Sequence, residues 1–225
     1  MDGRRRAATP LPNLVAAVDA STPGPGSIAA TVPAWAVIFA WGAGGSGRDA
    51  VSSGGGGGGG AGFKRVRVDV GQTLSWSVGA GGADPSPNGT NGGDTTVTLP
   101  DGKIMVAGGG RTTSTSSGGA GGTCAGPWDI GRDGGAGGNG STGTAGASTP
   151  NGGVGGAGAA SAGGGGAAAG FADVLYGPVG GNGAAAKNTV DTSTAPGGGG
   201  GAGDSSTNVH SGRNGRVLVY LVQIL

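Results

Sequence analysis

One cysteine, one histidine and twelve aspartates are the residues with which this 225-residue chain could do acid–base or nucleophilic chemistry. Cys124 and His210 would suit a nucleophile and its base, but no strand-to-helix turn surrounds Cys124 to hold a thiolate in place. A single Cys excludes disulfide staples and cysteine metal clusters within one chain, and a single His excludes multi-histidine metal sites. The chain has no Glu, and none of its twelve Asp sits in a motif that would desolvate it as a general acid or base. Glycine-rich phosphate loops arise by chance in a chain with 61 Gly. The one Gly-Lys pair, Gly102-Lys103, is followed by Ile104, so a nucleotide loop is not indicated. Gly200-Gly201-Ala202-Gly203-Asp204 misses the calcium-binding repeat by one residue and is not repeated. Asn88-Gly89-Thr90 and Asn139-Gly140-Ser141 fit glycosylation acceptors and, equally, plain turns. The expectation is a protein that is no enzyme and holds no cofactor or metal.

Binding is the chemistry left. Two islands rich in aromatic and charged residues interrupt the glycine runs: residues 124–133, with Trp128, Asp129 and Arg132, and residues 171–178, with Phe171, Asp173 and Tyr176. Less aromatic islands occupy residues 111–117, 187–194 and 204–213. Aromatic rings give contact area at low entropic cost and charges give direction, a common make-up of binding surfaces. The same islands would also serve as turns that cap glycine rods, with Trp128, Phe171 and Tyr176 as plugs.

The elements that position these islands follow from composition. Gly is 61 of 225 residues, charged residues are 11% and aromatics 4%. Each Gly costs a helix about 1 kcal/mol against Ala, and Glu is missing, so helix is expected over less than about a tenth of the chain. A doubly wound α/β fold, which needs crossover helices, is excluded. A net charge of +1 suggests no nucleic-acid partner, and no apolar run reaches the roughly 18 residues of a spanning helix. The Arg4–Arg6 cluster precedes an apolar run too short, and too flanked by Pro, for a signal peptide.

Six strands are expected: Ala34–Trp41, Phe63–Val70 and Thr73–Val78 from period-two alternation, Thr95–Leu99 and Lys103–Val106 from the Pro100-Asp101-Gly102 turn between them, and Arg216–Ile224 as a two-sided apolar strand suited to the middle of a sheet. In the first, Trp35, Val37, Phe39 and Trp41 form a bulky face, and Ala34, Ala36, Ile38 and Ala40 a small one. Val66, Val68 and Val70 are expected inward. The two most apolar runs, Ala34–Trp41 and Arg216–Ile224, each need cover and should pair or neighbour.

Residues 107–215 hold 38 of the 61 Gly and too few apolar side chains for an ordinary core. Gly134, Gly137, Gly140, Gly143 and Gly146 recur every third residue, as do Gly152, Gly155 and Gly158, and Gly197, Gly200 and Gly203. Three residues per turn is the period of an extended left-handed helix. Short helices of this polyglycine II type, side by side, would satisfy one another's backbone groups without a hydrophobic core. Gly137, Gly140 and Gly143 are expected on the buried edge of one rod. Disorder is the rival reading, since Val, Leu, Ile and Phe total only 35 residues; the low net charge and the strict period favour order.

The expected fold class is therefore mainly β: a small antiparallel β unit from 34–106 and 216–225, joined to a bundle of polyglycine helices from 107–215 with variable loops. Residues 1–33, broken by five Pro, form an extended attachment arm in this reading. Leu11, Leu14, Val15 and Val18 would be its contacts to a neighbouring protein, and deleting residues 2–30 should leave the rest folded.

A family resemblance rests on an ordered series of motifs. Val37–Gly45 resembles the opening strand of glycine-rich domains in bacteriophage tail-fibre and tail-tip proteins. Gly54–Gly62, the Phe63–Val70 strand, Gly71-Gln72, and the strand ending Val78-Gly79-Ala80-Gly81-Gly82 resemble the step that follows. Gly92–Val97, Val106–Gly110 and the closing Gly212–Tyr220 fit the rest, so the likeness covers residues 34–225. It is similar in style to the distal adhesins of T-even-like phage fibres, whose glycine-rich segments form packed polyglycine II helices and whose variable segments bind the host. The resemblance implies a phage tail receptor-binding protein without catalytic activity, located in the virion. Its implied partners are other tail proteins through the arm, a bacterial surface glycan or protein, and a second copy of itself, with no nucleic acid and no membrane insertion. Trp128, Asp129, Arg132, Phe171, Asp173 and Tyr176 are the candidate receptor contacts. The alternative is a purely structural virion component in which the glycine lattice is a rigid spacer.

Overall fold

A computed structural model describes residues 13–48, 52–83, 89–112, 115–159, 161–174, 177–186, 193–202 and 211–224. Among the described residues there are ten strands and no helix: β1 (Leu14–Ala20), β2 (Gly24–Ala29), β3 (Ala34–Trp41), β4 (Ala61–Val68), β5 (Thr73–Val78), β6 (Thr95–Thr98), β7 (Ile104–Ala107), β8 (Cys124–Ala125), β9 (Ile130–Arg132) and β10 (Arg216–Gln223). They form two five-stranded antiparallel sheets, in the orders β1-β10-β3-β4-β9 and β2-β5-β6-β7-β8. The expected pairing of the two most apolar runs is present. Arg216↔Trp41 through Gln223↔Ala34 is an unbroken register, and β10 is flanked on its other side by β1.

The β unit is larger than the sequence suggested. Residues 14–20 and 24–29 are an edge strand of each sheet, so this part of the expected attachment arm belongs to the fold itself. Its prolines lie mostly outside these strands, and Pro25 sits in the edge strand β2, where a missing N–H is tolerated. The short strands β8 and β9 also fall in the region assigned wholly to the glycine bundle.

The two sheets enclose the main core. From the first sheet come the small face of β3 (Ala34, Ala36, Ile38 and Ala40) with Val217, Val219 and Leu221; from the second come Leu74, Trp76, Val78, Val97 and Met105. Small residues on β3 leave room for Trp76 and Met105 opposite. Val68 is buried and Val66 packs partly, but Val70 is 62% exposed, because β4 ends at Val68 and Val70 enters the turn closed by Gly71 at φ 80°. The bulky face of β3 has a separate use. Phe39 and Trp41, with Leu218 and Ala61, pack against Ala168, Ala169 and Phe171, and the Trp41 indole donates to the Ala169 carbonyl at 3.0 Å.

Beyond the sheets the chain runs back and forth in extended segments whose backbone groups bond sideways. Residues 54–60 lie at the centre. Their N–H groups address three neighbours in rotation: Gly54, Gly57 and Gly60 donate to Thr115, Arg111 and Gly108; Gly55 and Gly58 to Gly138 and Gly135; Gly56 and Gly59 to Gly200 and Gly197. Their carbonyls address three more. Gly57 and Gly60 accept from Gly45 and Gly42, Gly55 and Gly58 from Gly119 and Gly122, and Gly56 and Gly59 from Gly166 and Ala169. Six segments thus surround one, with every third residue facing the same neighbour. The centre of the bundle is therefore 54–60, inside the region first assigned to the β unit.

This packing explains the glycine run. A Cβ built on Gly55, Gly56, Gly57, Gly58 or Gly59 would overlap a carbonyl oxygen of Gly164, Gly45, Ala120, Ala167 or Gly42, respectively. Gly134, Gly137 and Gly140 turn the same edge toward Gly58, Gly55 and Ser53. Gly143 departs from that edge: it ends a turn at φ 61° instead of continuing the rod.

Candidate binding surfaces

The two aromatic islands sit together, and both lie where the glycine bundle meets the sheets. Arg132 on β9 makes a forked ion pair with Asp173, at 2.7 Å from each guanidinium nitrogen, and donates to the Gly170 carbonyl at 2.6 Å. Its guanidinium carbon lies 5.2 Å from the centre of the Phe171 ring. The hydrogen bond from Arg132, helped by a backbone hydrogen bond and less by the Coulombic attraction, holds the Asp173 carboxyl below the usual carboxylate range. β9 is the edge of the first sheet opposite β1, four strand spacings or about 19 Å away.

Most of the predicted contacts serve internal joints. Phe171 is fully buried among Phe39, Trp41 and Phe63, with ring centres 5.5, 5.9 and 6.3 Å away, so it is not a surface contact. Its burial follows from the bulky outer face of β3, which needs cover. Trp128 is half-buried: its indole fills the space over Gly62 and donates to the Val106 carbonyl at 3.0 Å. It thereby joins β4 of one sheet to β7 of the other. Asp129 accepts from Lys64 at 2.7 Å and from the Arg65 backbone N–H at 2.8 Å. Burial raises its pKa, and these two bonds outweigh that and leave it lowered. Asp129, Arg132 and Asp173 keep partly exposed side chains. Tyr176 and Leu11 lie outside the described residues, as do most of 187–194 and 204–213. On β1, Leu14 and Val15 point outward and are 39% and 40% exposed, whereas Val18 packs on the protein's own core.

A different surface caps the far end of the bundle. The chain leaves β3 along 42–48 and returns along 54–60 to β4, so the ends at 48 and 54 are up to about 25 Å from the sheets. There the Ser53 hydroxyl donates to the Arg48 carbonyl at 2.8 Å, Gly54 donates to Thr115, Gly140 to Ser116, and Gly163 to Ser53. The turn after Gly140 is built on Asn139, whose side-chain oxygen accepts from the Ser141 N–H at 2.8 Å and the Ser141 hydroxyl at 2.7 Å. Thr115, Ser117, Ser141, Thr142 and Thr144 are exposed on this end. Sequence reading placed Thr115 and Ser117 in a less aromatic island and Ser141 in a turn, but named none of these five residues as a contact, because hydroxyl residues between glycines look like plain linker. Position marks Ser141, Thr142 and Thr144, which stand one, two and four residues beyond Gly140, where the period-three run of Gly134, Gly137 and Gly140 gives way to a turn.

A cleft of about 390 Å³ lies along the side of the bundle, lined by Asp94, Arg111, Thr123 and glycine backbone. Asp94 is engaged there, accepting from the Gly109 N–H at 2.8 Å. The Cys124 thiol donates to the Ala61 carbonyl at 3.1 Å, and burial pushes its pKa up to about 11, so it stays protonated and a poor nucleophile near neutral pH. Among the described residues no group of three His, Cys or Asp side chains is placed to hold a metal ion, and no helix is long and apolar enough to cross a membrane.

A family model described as a glycine-rich domain matches residues 21–221. No curated protein matches the chain.

Proposed function

The chain belongs to the glycine-rich domain family, and we propose that it is a bacteriophage tail receptor-binding protein that adheres to the bacterial surface and performs no chemistry. The observation that carries this reading is the glycine bundle, whose centre is held by backbone bonds from six sides and needs no side chains of its own. We read these segments as short polyglycine II helices. Loops at the end of such a lattice contribute little to its stability, so they can vary while the scaffold stays fixed. That division suits a surface selected for changing partners. The far-end residues Thr115, Ser117, Ser141, Thr142 and Thr144 are the proposed contacts, with hydroxyls able to donate to and accept from a glycan or protein. Asp129, Arg132 and Asp173 would then act near the sheets. The sheet end would face the other tail proteins, placing the protein in the virion.

The spacer reading has one observation of its own: Trp128, Phe171 and Arg132 are all spent on joints between sheets and bundle. Adsorption separates the two. Purified protein that binds isolated host surface glycan or protein supports the adhesin; failure to bind, by a protein that still assembles into particles, supports the spacer.

A further inference from the structure

The four edge strands of the two sheets are not protected alike. Unpaired edges invite another strand, and proteins blunt them by shortness, Pro or charge. β8 has two residues and β9 three. β2 carries Pro25 between Gly24 and Gly26. β1 is different: Leu14–Ala20 has seven residues, none of them Pro, Gly or a cation. Its single charge, Asp19, is neutralised by a forked pair with Arg216 at 2.8 and 2.6 Å. Among the described residues no strand pairs with its outer edge. The register shift against β10 falls between Leu14 and Ala16, which leaves 16–20 regular. Ala16, Val18 and Ala20 pack against the core but are only half-buried, so one side of the sandwich is incompletely covered.

We propose that the outer edge of β1 pairs with β1 of a second copy, antiparallel about a two-fold axis at Ala17, to make one ten-stranded sheet across a homodimer. A second copy fits this edge because the strand is apolar and meets itself without opposed charges: with Ala17 opposite Ala17, Ala16 faces Val18 within the regular stretch, and each Asp19, already paired with Arg216, lies opposite the bulge at Val15 and not opposite the other Asp19. The inward pair of Ala16 and Val18 would continue the core across the axis. On the outer face, exposed Leu14 would extend the half-buried row of Trp35, Val37, Tyr220 and Val222. The inference does not depend on the phage-tail reading.

Sedimentation of the full chain over a range of concentrations tests it. The wild type should be dimeric. Ala17 is exposed, so Ala17→Lys and Ala17→Asp should each keep the fold, checked by circular dichroism, and weaken dimerisation by about fivefold or more through like charges across the axis. An equimolar mixture of the two variants should regain the dimer, because opposite charges then face each other. Ala17→Cys should cross-link to a dimer without reductant, since facing Cα atoms in an antiparallel pair lie within disulfide range. A wild type that stays monomeric at every concentration would overturn the proposal. So would a dimer indifferent to all three variants, or one that forms only after residues 2–12 are removed, which would assign the edge to the chain's own leader.

Discussion

Arg132 and Asp173, 41 residues apart in the chain, meet through two parallel hydrogen bonds of 2.7 Å and so fasten an edge strand of the sheet to the turn that follows Phe171. The same guanidinium reaches the Gly170 carbonyl. A pair that looks like binding chemistry in sequence is a clasp between the two halves of the fold. Arg132→Ala should therefore increase protease cleavage between residues 170 and 178, with only a small drop in melting temperature, because exposed ion pairs contribute little. Unchanged cleavage there would show that Phe171 alone holds the turn.

Acid should loosen these clasps together. Asp19, Asp129 and Asp173 all have pKa values lowered in the folded state. Asp19 and Asp173 are lowered chiefly by hydrogen bonds from arginine, and Asp129 by Lys64 and the Arg65 N–H against opposing burial. A lowered folded pKa contributes stability that is present above the unfolded value of about 3.9 and is lost as pH falls through the folded value. Urea unfolding should show stability declining below about pH 4. The Asp19→Asn, Asp129→Asn, Asp173→Asn variant should be less stable at pH 7 and show a shallower decline in acid. Parallel curves for the two proteins would rule out this cause.

Trp128→Ala should behave as a core defect. The change removes the plug over Gly62 and the bond to Val106, and for a half-buried Trp the cost should be about 2–3 kcal/mol, below the fully buried range. Chemical denaturation measures it. A loss under about 0.5 kcal/mol, the usual range of a surface substitution, would return Trp128 to the list of contact residues.

The central glycines should be intolerant of a single methyl group. Gly58→Ala places a Cβ on the Ala167 carbonyl, in a rod bonded on all sides. Overpacking typically costs about 1–3 kcal/mol, and rigid backbone on every side puts this site at or above the upper end. Thr142→Ala, exposed at the far end, should stay within about 0.5 kcal/mol of wild type. Equal stability of the two variants would mean that the bundle is looser than its bonding pattern.

Much of this architecture was legible in the sequence, for physical reasons that also explain the misses. Period two marked β3, since one of its faces is small and the other aromatic, a run apolar on both faces marked β10, and their pairing followed from the need to cover both. Period three marked Gly134, Gly137 and Gly140, because only a missing side chain lets another backbone sit there. The unbroken run from 54 to 60 shows no period, since every direction around the central rod is occupied, and so the centre was missed. β1 and β2 were hidden by prolines and alanines: Leu14–Ala20 has few large apolar residues, and its strand state comes from pairing with β10, a tertiary partner 197 positions away at Asp19 and Arg216. Deleting residues 2–30 should consequently destabilise both sheets, contrary to the expectation of a detachable arm. For the candidate contacts, composition marks residue types that suit a binding surface but not which end of the bundle they occupy. That depends on how many times the chain reverses before it reaches them.

The far end of the bundle as the adhesive surface is the central claim, and adsorption of assembled particles to host cells tests it most directly. Ser117→Arg with Thr142→Arg places two long cations on that end, away from every joint with the sheets. The account predicts particles of normal composition that adsorb poorly, while Asp173→Asn particles, altered near the sheets, adsorb as wild type. Normal adsorption by the double arginine variant would contradict it and leave the glycine bundle as a spacer.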